Sequence, residues 1–100
     1  MTYHDIHILG DDLAAFCRRH HVRRLSLFGS ILRRDFQSES DVDVLVEFES
    51  GHTPGLAFFE MQDELAKLFG RGVDLHTPAS LSKYFRDDVM AEAEVQYDAA

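Results

Sequence analysis

The segment LFGSILRRDFQSESDVDVLVEF, residues 27–48, decides the fold. It joins two stretches of alternating apolar residues that predict strands at 22–28 and 41–48. The first strand stops at Gly29, and a short helix is expected over residues 30–36. About a dozen residues separate the two strands, which is too few for a parallel crossover, so the pair is expected to be antiparallel.

Helical and strand patterns continue on both sides of this segment. Apolar spacing predicts three helices. The first starts at Ile6 or Asp11 and ends at His20, and the second runs from about Leu56 to Phe69. The last runs from Leu81 to about Val95, with Phe85, Val89 and Ala93 facing inward. A short strand at 73–76 follows the second helix and is expected to pair in parallel with the strand at 41–48. The sequence therefore predicts an α/β (α+β) fold, a small mixed β-sheet packed with helices, in the order α-β-α-β-α-β-α.

Composition narrows the class of protein. The chain has 100 residues, 45% of them hydrophobic, so one small domain spanning residues 1–100 is expected. Ten basic and 18 acidic residues give a net charge of −8, which disfavours non-specific binding to duplex DNA. No apolar run suits a membrane span, and the start MTYHDIHILGDD lacks the pattern of a signal peptide, so no membrane contact and a cytoplasmic location are expected.

Two carboxylates fall on one face of the predicted strand at 41–48. Asp41 and Asp43 are two residues apart, roughly 6.6 Å along a strand, and at an effective dielectric of about 20 their charges repel by about 2.5 kcal/mol. Asp74 on the next strand would add to this repulsion. A divalent cation would offset it, and hard oxygen ligands suit Mg²⁺ or Mn²⁺. The alternative is that Asp41 only caps the strand and that Asp43 is solvated.

The Gly29-Ser30 pair lies where a strand passes into a predicted helix. Glycine allows close approach of the backbone to a phosphate, and a helix N-terminus offers free N–H groups, although the pair is also a common structural turn. Arg33 lies one turn further on and could reach a triphosphate, or it could be a surface arginine. His76 shares the strand face of Asp74, but packing near a strand end is favoured over catalysis.

The whole string at 27–48, followed by VDL at 73–75, resembles the nucleotidyltransferase superfamily that includes DNA polymerase β. That family has a strand ending in Gly-Ser, an arginine on the next helix, Ser-Asp-x-Asp on a strand, and a third aspartate on a later strand. The chain looks most like the minimal nucleotidyltransferases, the MNT antitoxins encoded beside HEPN-domain RNase toxins. The resemblance extends to HTPGLAFFE and LSKYFRDDVMAEAEVQY and covers nearly the whole chain.

The resemblance implies a role for each motif residue. Nucleotide binding is implied for Gly29, Ser30, Arg33 and Ser40, with the Gly-Ser pair on the β and γ phosphates. Catalysis and metal binding are implied for Asp41, Asp43 and Asp74, and the third of these would help to activate the acceptor hydroxyl. The family often reads Gly-Ser-x-x-Arg-Gly-Asp, whereas Arg34 stands here in place of the second glycine.

The implied reaction is the in-line attack of a hydroxyl on the α-phosphorus of ATP, with Mg²⁺ or Mn²⁺ as cofactor. No acceptor-binding domain is evident, so the acceptor is expected to be another protein. The resemblance implies a tyrosine of a partner HEPN toxin, held in a hetero-oligomer with this antitoxin. Two alternatives remain open at this point: a non-catalytic antitoxin that neutralises by binding, and a nucleotidyltransferase that acts on RNA or a small molecule.

Overall fold

The computed structural model describes residues 1–99, which form a mixed β-sheet with α-helices packed on it. The strands are β1 (Thr2–Tyr3), β2 (Ile6–His7), β3 (Val22–Phe28), β4 (Val42–Phe48), β5 (Val73–His76) and β6 (Glu94–Asp98). The α-helices of the described residues are α1 (Gly10–Arg19), α2 (Ala57–Phe69) and α3 (Arg86–Glu92). None of these helices combines the length and the apolar character that crossing a membrane requires.

The main sheet has the strand order β5-β4-β3-β6. β3 is antiparallel to both β4 and β6, whereas β4 and β5 are parallel. The short connection between β3 and β4 and the helical connection between β4 and β5 account for these directions. The predicted α/β class and the mixed sheet are therefore confirmed.

The core lies between the sheet and the first two helices. Its central strand is β4, in which Val42, Val44 and Val46 are fully buried. The helices contribute Leu13, Phe16 and Cys17 from α1 and Met61, Leu65 and Phe69 from α2. Gly70 ends α2 in the left-handed conformation, with φ of 67°, which is the usual role of glycine after a helix. This packing holds the ends of β3, β4 and β5 in fixed register.

The predicted final helix is wrong in its extent. It was expected from Leu81 to about Val95, but α3 is shorter, and the chain then forms β6 along the free edge of β3. The backbone groups of β3 would otherwise lack partners on that side, so the tertiary pairing overrides the helical pattern. Phe85, which was expected to face inward, is 63% exposed. Val89 and Ala93 are partly buried.

The short helix expected over 30–36 is also wrong, because only a 3-10 turn forms over Gly29–Leu32. Ile31 anchors this turn in the core, and its carbonyl accepts a hydrogen bond from Nε2 of His4 at 2.8 Å. That carbonyl is therefore taken by a side chain instead of the N–H of Asp35, which a continuing α-helix would require.

The first helix starts at Gly10, close to the later of its two expected starts. The residues before it form a β-hairpin in which β1 and β2 are antiparallel. His4 sits in the turn with φ of 54°. The hairpin and β6 are the two additions to the predicted order of elements.

Candidate active site

The register of the strands brings the candidate residues to one region of the sheet. Phe28, the last residue of β3, pairs with Asp43 on β4. Asp43 in turn pairs with Asp74 on β5. The turn that begins at Gly29 therefore starts beside the two carboxylates. The predicted directions of the three strands are consistent with this convergence.

Asp43, Asp74 and His76 form the group that could hold a metal ion. One ligand atom of each lies within 4.8 Å of the others. Asp74 is exposed, whereas the Asp43 side chain is only 28% exposed. Burial raises the pKa of Asp43, and the nearby His76 lowers it, while the charges of Asp74 and Asp41 raise it further. The net increase in the pKa means that ionising Asp43 costs more free energy in the folded chain than in the unfolded chain.

An Asp43→Asn substitution should raise the melting temperature of the metal-free protein at neutral pH. A carboxyl whose pKa is raised on folding makes the folded state less stable wherever it is ionised, and asparagine removes that charge. Solvent screening limits the gain to about 0.5 kcal/mol, or roughly 2–4 °C for a domain of this size. Thermal unfolding in a metal chelator measures it.

The same measurement has an internal control in its pH dependence. As the pH falls through the raised pKa of Asp43, the wild type becomes protonated at this site and the difference between the two proteins should shrink. A variant that melts below the wild type at neutral pH would show that the Asp43 carboxylate stabilises the apo fold, contrary to the assignment.

His76 is the site residue that sequence reasoning undervalued. Its Nε2 lies 3.6 Å from Oδ1 of Asp43, and its ring meets the ring of Phe28 edge to face at 5.4 Å between centroids. The two-residue spacing from Asp74 was the available signal. That spacing gave the strand face, and the predicted strand pairing gave the neighbouring strand, but the closeness of His76 to Asp43 depends on the register of β4 with β5.

Gly29 is required at the end of β3 for two reasons. Its φ is +78°, which favours glycine. A Cβ at this position would also overlap Oδ2 of Asp43.

The N–H of Gly29 donates a hydrogen bond to Oε1 of Glu92 at 3.3 Å. This amide thus already holds an anionic oxygen, which a phosphate would have to displace.

Asp41 lies beside the group of three but is not a member of it. It is exposed and immediately precedes β4. Its carboxylate lies against Gly72, where an added Cβ would overlap Oδ1. The carbonyl of Gly72 also accepts the N–H of Val42 at 2.9 Å. Gly72 therefore permits the close approach of the Asp41 side chain, a role that the sequence did not indicate.

The other predicted nucleotide-binding residues occupy the loops next to the site. The Ser40 hydroxyl accepts the N–H of Gln37 at 3.2 Å and so closes the turn before β4. The Ser30 carbonyl accepts the N–H of Arg33 at 2.9 Å. Arg33 is exposed and extended, with φ of −112° and ψ of 160°, so it does not lie on a helix as expected. Arg34 is also exposed.

The donor atoms of the group fit a divalent cation. Two carboxylates supply the hard oxygen ligands that Mg²⁺ and Mn²⁺ take, and the imidazole adds one nitrogen. A cation would also remove the cost of ionising Asp43 beside Asp74. The arrangement can therefore place a metal next to an anion-binding backbone amide, which is the combination that phosphoryl chemistry requires.

Comparisons with known proteins agree with this geometry. The family described as Nucleotidyltransferase domain matches residues 12–95. A Methanocaldococcus jannaschii protein named as a candidate protein adenylyltransferase is 36% identical over 75 residues, which is 75% of this chain and 80% of that protein. Protein adenylyltransferase MntA of Thermococcus cleftensis is 39% identical over 72 residues, 71% of each chain.

Solved structures share the fold. A candidate minimal nucleotidyltransferase has a TM-score of 0.69 at 33% identity, covering 84% of this chain and 85% of that one. A chain of a toxin-antitoxin complex with AMP-PNP has a TM-score of 0.72 at 21% identity, covering 89% and 73%. A complex of tri-AMPylated Shewanella oneidensis HEPN toxin with MNT antitoxin gives 0.64 at 21% identity, covering 89% and 69%.

Proposed function

This chain belongs to the nucleotidyltransferase domain family, and from that premise we propose that it is an antitoxin that transfers AMP from ATP to a tyrosine hydroxyl of a partner HEPN-domain toxin. The hydroxyl oxygen forms the new bond to the α-phosphorus. The bond from that phosphorus to the bridging oxygen of the β-phosphate breaks, pyrophosphate leaves, and the hydroxyl proton passes to a carboxylate. We place this reaction in the cytoplasm.

One observation carries the proposal: Asp43 pairs across the sheet with Asp74 on one side and with Phe28, next to Gly29, on the other. The register thus puts an anion-binding turn and two carboxylates side by side on rigid strands. Transfer of a nucleotidyl group needs a triphosphate, a charge-stabilising ion and an acceptor oxygen held in line. The pairing supports the first two in one place, and the exposure of Asp74 leaves that side open to an acceptor.

The roles of the nucleotide-binding residues follow from their positions. The amide of Gly29 and the adjoining turn at Ser30 would receive phosphate oxygens after Glu92 withdraws. Arg33 is exposed, and its guanidinium would bind the triphosphate. Ser40 would act through the turn that it closes.

The carboxylates divide between binding and proton transfer. Asp43 and Asp74 would hold one metal, and Asp41, which lies beside them, would ligate a second metal that it shares with Asp43. A bound divalent ion, Mg²⁺ or Mn²⁺, would stabilise charge on the entering and leaving oxygens. Asp74 is more exposed than Asp43, with which it pairs. This exposure suits acceptance of the proton from an incoming tyrosine hydroxyl.

The acceptor is proposed from the relatives. The MntA protein of Thermococcus cleftensis, 39% identical over 71% of each chain, is named a protein adenylyltransferase. The Shewanella oneidensis complex, which shares the fold, contains a tri-AMPylated HEPN toxin with its MNT antitoxin. A HEPN-domain toxin, bound in a hetero-oligomer with this chain, is therefore the acceptor that these names favour.

A labelling experiment tests the proposed reaction. The chain is incubated with a HEPN-domain partner, Mg²⁺ and ATP that carries label in either the α- or the γ-phosphate. The partner should acquire label from the α-position only, with release of pyrophosphate, and mutation of the modified tyrosine to phenylalanine should prevent it. Label from the γ-phosphate would indicate a kinase, and no label with either substrate would contradict nucleotidyl transfer.

A further inference from the structure

A histidine side chain lies among the carboxylates of the site. Nε2 of His76 is 3.6 Å from Oδ1 of Asp43, which is too long for a hydrogen bond. The His76 side chain is 31% exposed, and the edge contact with Phe28 constrains its ring. The nitrogen therefore lies within ion-pair distance of the carboxylate, with a gap between them that is too wide for a hydrogen bond.

That gap has the size that a shared cation requires. Two ligands at about 2.1 Å from one ion lie about 3.0 Å apart when they are adjacent and about 4.2 Å apart when they are opposite. The separation of 3.6 Å between Nε2 and Oδ1 falls within this interval. An oxygen of Asp74 completes a group whose atoms all lie within 4.8 Å of one another, so the side chains would have to close by at most about 0.6 Å to reach one ion together.

Asp41, the remaining carboxylate of the motif, is placed differently. The Asp41 side chain lies against Gly72 and does not belong to the group that Asp43, Asp74 and His76 form. An imidazole, which ligates metals through a ring nitrogen and carries no negative charge, also adds a ligand without adding to the repulsion of the two carboxylates. Geometry and charge thus both favour the histidine as a partner of the paired aspartates.

We propose that His76 is a protein ligand of the metal through Nε2, together with Asp43 and Asp74, and that this nitrogen shifts the preference of the site from Mg²⁺ toward Mn²⁺. The inference rests on the proposed function, because it concerns the metal of that same site. Mg²⁺ selects oxygen ligands, whereas imidazole is a good ligand for transition metals, which gain affinity from a nitrogen donor.

Electron paramagnetic resonance of Mn²⁺ bound to the full chain tests this directly, without substrate or turnover. Pulsed spectra of the wild type should show coupling of Mn²⁺ to a ¹⁴N nucleus, and labelling with ¹⁵N-histidine should replace it with the ¹⁵N pattern. His76→Gln should remove the coupling and weaken Mn²⁺ binding at least about tenfold, with a smaller effect on Mg²⁺ measured by competition.

His52→Gln is the matched control, since His52 is exposed and stacks on His21. This variant should keep the coupling and the affinity for Mn²⁺. Asp43→Asn should abolish Mn²⁺ binding both in the otherwise wild-type chain and in the His52→Gln variant. Thermal unfolding of each protein verifies that it is folded, and the isotope measurement on the wild type needs no variant at all.

The outcomes separate the two claims. Mn²⁺ that binds in an Asp43-dependent way but shows no histidine nitrogen coupling would overturn the ligand role of His76 and leave the proposed function standing. Failure of Mn²⁺ and Mg²⁺ to bind the wild type, or binding that Asp43→Asn does not change, would overturn the metal site and the His76 inference with it.

Discussion

An Asp74→Asn substitution should lower the rate of AMP transfer at least about 10³-fold. Loss of a positioned base costs about 10²–10⁴-fold, and a weakened metal site removes further stabilisation of the transition state. The change preserves the shape of the side chain, and Asp74 is exposed, so the fold should persist. Initial rates with α-labelled ATP at saturation measure kcat, and a titration of ATP measures KM.

Asp63→Asn provides the matched control, because Asp63 is an exposed carboxylate on α2 that lies outside the group of Asp43, Asp74 and His76. It changes the net charge by the same amount and should leave the rate unaltered. If Asp74→Asn retained more than about a tenth of the wild-type rate, Asp74 would be neither the base nor an essential part of the metal site.

The second large effect is expected at the phosphate turn: Gly29→Ala should weaken binding of Mg²⁺ and AMP-PNP at least about 10²-fold. The methyl group would overlap Oδ2 of Asp43 and force that carboxylate away from its position between the turn and Asp74. It would also stand where the backbone must approach a phosphate. Isothermal titration calorimetry measures the affinity.

Gly51→Ala isolates the collision from the backbone strain. Gly51 has φ of +81°, close to the +78° of Gly29, but an added Cβ there meets nothing within 4 Å. Both variants should lose about 1–2 kcal/mol of stability from the left-handed conformation. Gly29→Ala alone should lose nucleotide affinity. Equal affinity in the two variants would show that the turn at Gly29 is structural only.

The two central strands could be read from the sequence because their pattern is local. Residues 22–28 and 41–48 alternate in the manner of half-buried strands, and β3 and β4 match those bounds within one residue. Their directions also followed from the lengths of the connections. The antiparallel pairing of these strands then brings Gly29 beside Asp43.

Other features depend on contacts between distant residues, which a local pattern does not contain. β6 forms because Glu94–Asp98 pairs with β3, about 70 residues earlier in the chain, and the helical spacing before it gave no sign of this. The 3-10 turn ends where Ile31 packs into the core and its carbonyl meets the His4 side chain. Tertiary pairing decided both cases.

The site shows the same division. The sequence indicated that the strands of Asp43 and Asp74 are neighbours, but the pairing of these two residues and the place of His76 beside Asp43 required the register of β4 with β5. Likewise, the contact of Asp41 with Gly72 depends on how the loop before β5 passes the start of β4. The sequence motif identified the three carboxylates, but the differences between their surroundings are seen only in the folded chain.

The intact mass of the HEPN-domain partner, purified after co-expression with this chain, tests the central claim most directly. With the wild type, the partner should carry one or more added AMP units and should no longer arrest growth. With Asp74→Asn, it should still co-purify with the antitoxin but keep its unmodified mass and its toxicity. A partner that keeps its unmodified mass with the wild type, and is nevertheless fully neutralised, would show that the chain acts by binding alone and would contradict the enzymatic account.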